Sequence, residues 1–276
     1  MAGCAAATPS PHDDPAAVAR RIAVRARAVQ IVYLGESHDN PYHHREQARV
    51  LEAMLAGGAR PAIAFEMLTQ GQQPEADEAM RDGVDPGALG KRLGWADRGW
   101  PDFEMYRPLF DLARRYGLSV VAIDLDKQMV RRIAKEGLDA LPAEERSRLA
   151  SRLAADDDRE RSIARDIETA HCDLLPSGAV SGMVDAWHAR NVVMARRILQ
   201  ALEQSPQVVV IVGRGHQAPG GLADQIEAFR PGTSQLVVDF VELGREETAQ
   251  APPGNHIVWP TPPVERPDPC APLRNR

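Results

Sequence analysis

Apolar residues fall in five short runs along this chain, separated by stretches with helical spacing. Residues 31–34 (IVYL), 61–66 (PAIAFE), 119–124 (SVVAID), 207–212 (QVVVIV) and 235–241 read as strands. The run at 207–212 is apolar on both faces, the pattern of a central parallel strand. Elsewhere apolar residues recur at intervals of three and four, as on one face of a helix. Residues 15–28 form such a helix, with Val18, Ile22 and Val24 toward the core. So do 42–56, with Ala48, Leu51 and Leu55, and 103–116, with Met105, Leu109 and Leu112. Short helices are expected at 72–82, 85–93 and 222–229. Between 126 and 204 no strand pattern occurs, and four helices (129–135, 143–155, 159–171 and 180–202) make a helical subdomain between the third and fourth core strands. The last helix carries the stripe Val180, Val184, Trp187, Asn191, Met194 and Ile198, with a polar Asn191 inside it.

The pattern predicts an α/β fold: a mixed, largely parallel sheet flanked by helices. Residues 1–14, small and Pro-rich, read as a tether. The α/β domain spans 15–249, and a Pro-rich tail at 250–276 lies on it, with an edge strand at most near 256–259. A net charge of −6 with no basic block argues against a nucleic-acid surface. No run is long and apolar enough to span a membrane.

Chemistry gathers where strands stop. After 31–34 comes Gly35-Glu36-Ser37-His38-Asp39, then Asn40-Pro41, which suits a helix start. The second strand ends at Glu66, the third at Asp124, and the fourth runs into Gly213-Arg214-Gly215-His216. In a parallel sheet these ends share one rim, so residues distant in sequence converge on it. Strand ends are commonly polar and solvated; four of them, two in Gly-x-x-His form, are harder to explain that way. Other motifs fail: a nucleophile elbow lacks its second Gly, a dinucleotide turn its third, and zinc spacings are absent.

These residues resemble a known family. Tyr33-Leu34-Gly35-Glu36-Ser37-His38-Asp39-Asn40 with His43-His44 is similar to the opening signature of ChaN-like haem-binding lipoproteins, grouped with erythromycin esterases and Tiki/TraB proteins. Phe65-Glu66-Met67, Gly94-Trp95, Gly99-Trp100-Pro101, Tyr106-Arg107-Pro108-Leu109, His171-Cys172, Met194-Ala195, Gly213-Arg214-Gly215-His216 and Arg266-Pro267-Asp268-Pro269-Cys270 extend it. It covers roughly residues 29–270. The chain departs from the pattern at Trp187, where Gln is expected, at Asn191, where Asp is expected, and at Asp124, which is more acidic than expected.

The resemblance implies haem bound at the rim, with a tyrosine on iron and a histidine nearby, and it admits a homodimer. Tyr106 and Tyr42 are the candidate iron ligands, His38 and His216 the supporting histidines, and Arg214, Arg107 and Arg190 the candidate propionate partners. Met183, Val184, Trp187 and Met194 would form an apolar wall. The expected role is haem or iron uptake by a lipid-anchored protein of the bacterial envelope facing the periplasm, alongside an outer-membrane haem receptor. Met1-Ala2-Gly3-Cys4 ends like a lipobox, which makes Cys4 the lipidation site if translation begins upstream. Cys172 and Cys270 are then left as an even pair, and an oxidising compartment should bond them. The alternative is a hydrolase in which His38, Glu66 and His216 hold a divalent metal that activates water.

Overall fold

The computed structural model describes residues 9–271 apart from 11, 82–84, 142, 144–145, 147–156, 177, 244–250, 253 and 269. Cys4 and most of the helix expected at 143–155 lie outside the described residues. Six strands are β1 (Ile31–Glu36), β2 (Ala62–Thr69), β3 (Val120–Asp124), β4 (Val208–Gly213), β5 (Gln235–Glu242) and β6 (His256–Thr261). They form one sheet in the order β3-β2-β4-β1-β5-β6. Every pairing is parallel, so the expected mixture of directions is absent from these strands and all six end on the same side. The sixth strand comes from the Pro-rich tail and pairs with β5 from His256 to Thr261.

The helices are α1 (Pro15–Ala26), α2 (Pro41–Ala56), α3 (Gln73–Arg81), α4 (Pro86–Arg92), α5 (Arg107–Tyr116), α6 (Lys127–Glu136), α7 (Asp157–Ala170), α8 (Ala179–Leu202) and α9 (Leu222–Phe229). Because strand side chains alternate, β1 sends Val32 and Leu34 toward α1, α2 and α5, and Ile31 and Tyr33 toward α8 and α9. On β2 the phase is opposite: Ile63, Phe65 and Met67 face α2 and α5, while Ala62 and Ala64 face α8. Met194, expected in a haem wall, is buried in this second core because it lies on the sheet-facing stripe of α8. Val24, expected toward the core, is 60% exposed: α1 buries Val18 and Ile22, and Val24 falls off that stripe.

The β3 edge is closed by side chains. Gln73 Nε2 donates to Val120 O at 2.8 Å and its Oε1 accepts from Ala122 N at 2.7 Å, as a neighbouring strand would. Arg197 of α8 donates to Ala122 O at 3.2 Å. Cys172 and Cys270 are disulfide-bonded with Cα atoms 5.5 Å apart, which joins the chain just after α7 to the tail.

Candidate functional site

Sheet phase decides the two sides of the rim. Glu36 continues the Val32–Leu34 phase and points toward α2 and α5, where four donors meet it. The Tyr106 hydroxyl donates to Oε1 at 2.5 Å, and His38 Nδ1 lies 2.9 Å from the same oxygen. Gln47 Nε2 donates to Oε2 at 2.6 Å, and His44 Nδ1 lies 3.2 Å from it. Tyr106 can do this because it precedes α5 as its N-cap, while His44 and Gln47 lie in the first turns of α2. The Glu36 side chain is fully buried. Burial opposes its charge, but His44 and His38 outweigh that and hold its carboxyl well below the usual range. Burial and the neighbouring Glu36 both raise the Tyr106 phenol, so Tyr106 is a neutral donor here.

Glu66 continues the Ala62–Ala64 phase and points to the other face. Its Oε1 accepts from Arg190 Nη2 at 2.7 Å and lies 3.3 Å from His216 Nε2; its Oε2 accepts from Gly213 N at 2.7 Å. Arg190 also donates to Asp124, from Nη2 at 2.7 Å and from Nε at 3.0 Å. Asp124 is therefore the counter-ion that lets Arg190 sit at the rim. Asn191 Oδ1 lies 3.0 Å from His216 Nδ1, and its Nδ2 donates to Trp187 O at 2.8 Å. Buried polar Asn191 thus orients His216. Burial opposes the Glu66 charge, but His216, His38 and Arg190 outweigh it and keep the carboxyl well below its usual range.

His38 joins the two sides. β4 lies between β1 and β2, and His38 crosses its end: Nδ1 is on Glu36, and Nε2 is 4.0 Å from Glu66 Oε1. Gly213 makes the crossing possible, since a Cβ there would stand 2.8 Å from His38 Nε2. Burial disfavours the charged imidazole, yet the Glu36 hydrogen bond and both carboxylates prevail and raise it to about 9. One third of its side chain is exposed, with the edge of Trp100 at 5.0 Å between ring centres. Beside Trp100 an open groove continues past Thr69, Leu125, Lys127 and Arg190.

The structure brings His38, Glu66, His216 and Tyr106 together, and it leaves other expected residues apart. Tyr42 stands at the start of α2 under the Arg45 guanidinium, 5.0 Å from its ring centre. Arg107 is paired with Glu104 at 2.9 Å on the exposed side of α5. Arg214 is exposed, two residues before His216. The first strand's end flagged Glu36, but its role as the hub for four donors was not read; the i, i+3 pair His44 and Gln47 on a helix entering from the rim was the available signal. Among the described residues no three His, Cys, Asp or Glu side chains are grouped to hold a metal ion. Arg190 is the cation that pairs with both Glu66 and Asp124, each at 2.7 Å.

Comparisons with known proteins agree with this architecture. The model of a family described as haem-binding uptake, Tiki superfamily, ChaN matches residues 22–226. The solved structure of ChaN of Campylobacter jejuni, which describes cofacial heme binding, is 17% identical over 83% of this chain and 88% of that chain, with a TM-score of 0.66. The type III effector HopBA1 is 15% identical over 95% of this chain and 99% of that chain, with a TM-score of 0.55. At such identities these structures establish a shared fold alone. No curated protein sequence matches. The chain belongs to the haem-binding uptake family of ChaN in the Tiki superfamily.

Proposed function

We propose that this protein binds haem at the C-terminal rim of its sheet and serves haem or iron uptake in the bacterial envelope, anchored through Cys4. The observation that carries the reading is His38, a partly exposed imidazole backed by a buried carboxylate and flanked by Trp100. The residues fit the group: an imidazole that would give up its proton on binding iron, an indole wall, and the exposed cation Lys127 for a propionate. A carboxylate behind a histidine fixes its tautomer and raises its basicity as a ligand. Haem supplies the iron; the chain supplies the imidazole, the walls and the charge.

His38 is a better ligand candidate than any tyrosine. Tyr33 and Tyr106 are buried with their hydroxyls on Gln235 and Glu36, and Tyr116 sits beneath Arg60. Hemin titration followed in the Soret region tests the reading. Saturable binding that is weakened at least about tenfold in His38→Ala, and kept in Tyr106→Phe and Tyr42→Phe, is expected. Binding no better than to an unrelated protein of similar charge would defeat it. Two carboxylate–histidine couples on one rim also suit general acid–base hydrolysis. Colourless protein with ester hydrolysis lost in His38→Ala would favour that second reading.

A further inference from the structure

The loop carrying His38 is held from outside by the tail. Arg266 donates to Asp39 from Nε at 2.5 Å and Nη2 at 2.7 Å, and to Glu242 from Nη1 at 2.8 Å. Asn40 Nδ2 donates to Glu242 Oε1 at 2.8 Å and Pro262 O at 3.3 Å. His43 completes the link: its Nδ1 accepts from Ser37 N at 2.8 Å, so its Nε2 donates to Thr261 Oγ1 at 2.8 Å. Burial lowers His43 to about 4, which keeps it neutral and able to bridge both partners. Apart from Ser37–His43 within the loop and Arg266–Glu242 within the tail side, each tie runs from residues 37–43 to β5, β6 or the tail that follows.

Four residues beyond Arg266, the tail is bonded through Cys270 to Cys172. Cys172 and Asp173 both hold positive φ, at 63° and 57°, a conformation that residues with side chains seldom adopt. The helix before them, α7, is tied to α8 by Glu160 on His188 at 2.9 Å, two residues from Arg190. The strap therefore runs from the Glu36 side of the rim to the chain just after α7.

We propose that the tail is a redox-controlled strap over the His38 loop, with Arg266 as its positioning residue and Cys172–Cys270 as its fastener. This rests on the reading of the rim as the binding site. Both cysteines are half-buried, within reach of a dithiol reductant. One thiolate of that dithiol attacks one sulfur, forming a mixed disulfide and releasing the other cysteine; its second thiol then displaces the first. Two electrons and two protons pass to Cys172 and Cys270, and the reductant leaves as a disulfide. Beyond Thr261 the released tail keeps the partly exposed Arg266 ion pairs, which hold weakly, and the Asn40 bond to Pro262 O, so the loop loses part of its outer support.

Amide hydrogen exchange on the full chain without ligand tests this. In protein reduced with dithiothreitol, exchange at amides of residues 37–43 and 262–268 should quicken by a factor at least about tenfold larger than any rise in β1 and β4, which follow global stability. Arg266→Gln should quicken 37–43 with the disulfide intact, and Arg266→Lys should restore part of the protection. Unchanged exchange at 37–43 after reduction, or an equal rise across β1 and β4, would overturn the strap. Hemin should also leave the reduced protein several-fold faster, by about threefold or more. If hemin never binds, the binding reading fails, while the exchange data still decide on the strap.

Discussion

The His38 loop has an inner and an outer anchor built from similar parts in different surroundings. Inside, Glu36 collects Tyr106, His38, His44 and Gln47 in complete burial. Outside, Asp39 and Glu242 share Arg266, with Asn40 and Val264 N adding donors, and Asp39 is half exposed. An unmatched buried charge cannot be rescued by water, whereas an exposed one can. The inner anchor therefore determines whether the site exists, and the outer one determines how firmly it is closed.

The largest break in that contrast is Glu36→Ala, which takes the shared acceptor from buried Tyr106, His44 and Gln47 and from partly exposed His38. Urea denaturation should show a loss of about 3–5 kcal/mol. Opening Cys172–Cys270 with a dithiol should lower stability by about 2–4 kcal/mol in the same assay. Arg266→Gln should cost under about 1 kcal/mol, as exposed ion pairs do. A larger loss for Arg266→Gln than for Glu36→Ala would invert the comparison.

Acid sharpens the outer anchor further. Hydrogen bonding to Arg266, against a smaller burial effect, draws the Glu242 carboxyl from 4.5 down to about 2. A carboxyl lowered on folding contributes stability that is complete above its unfolded value and disappears as pH falls through the folded one. Thermal melts of wild type and Arg266→Gln should thus differ above pH 4.5 and converge toward pH 2. A difference that persists at the acid end would mean that packing, not charge, supplies the anchor.

The strand–loop–helix at Ile31 to His44 was legible because a run of apolar residues, a cap and a proline are local signals. The convergence of His38, Glu66 and His216 followed from parallel strands sharing an end. The partners did not follow. Periodicity assigns a residue to a face and says nothing about what waits on the other side. Hence Arg190 was readable as a cation near Asn191, but not as the bridge between Asp124 and Glu66. Tyr106 looked like an iron ligand, yet its hydroxyl is spent on Glu36, seventy positions away. Of the three histidines near the first strand, only His38 faces outward: His43 serves the tail, and His44 the buried carboxylate. The disulfide was legible through chemistry: with Cys4 set aside as the expected lipid site, Cys172 and Cys270 are the even pair that an expected oxidising compartment would bond.

Closure of the β3 edge by Gln73 has a consequence for assembly. A bare parallel edge offers a template on which another chain adds a strand. Here the amide of Gln73 and the guanidinium of Arg197 already occupy the outward groups of Val120 and Ala122. At the opposite border β6 includes Pro260, which has no N–H to donate. With both borders blunted, two copies have little means of extending one sheet into the other. Pairing of copies, where it occurs, is left to helices and loops, and the rim is the part of the surface where aromatic and charged groups already stand together.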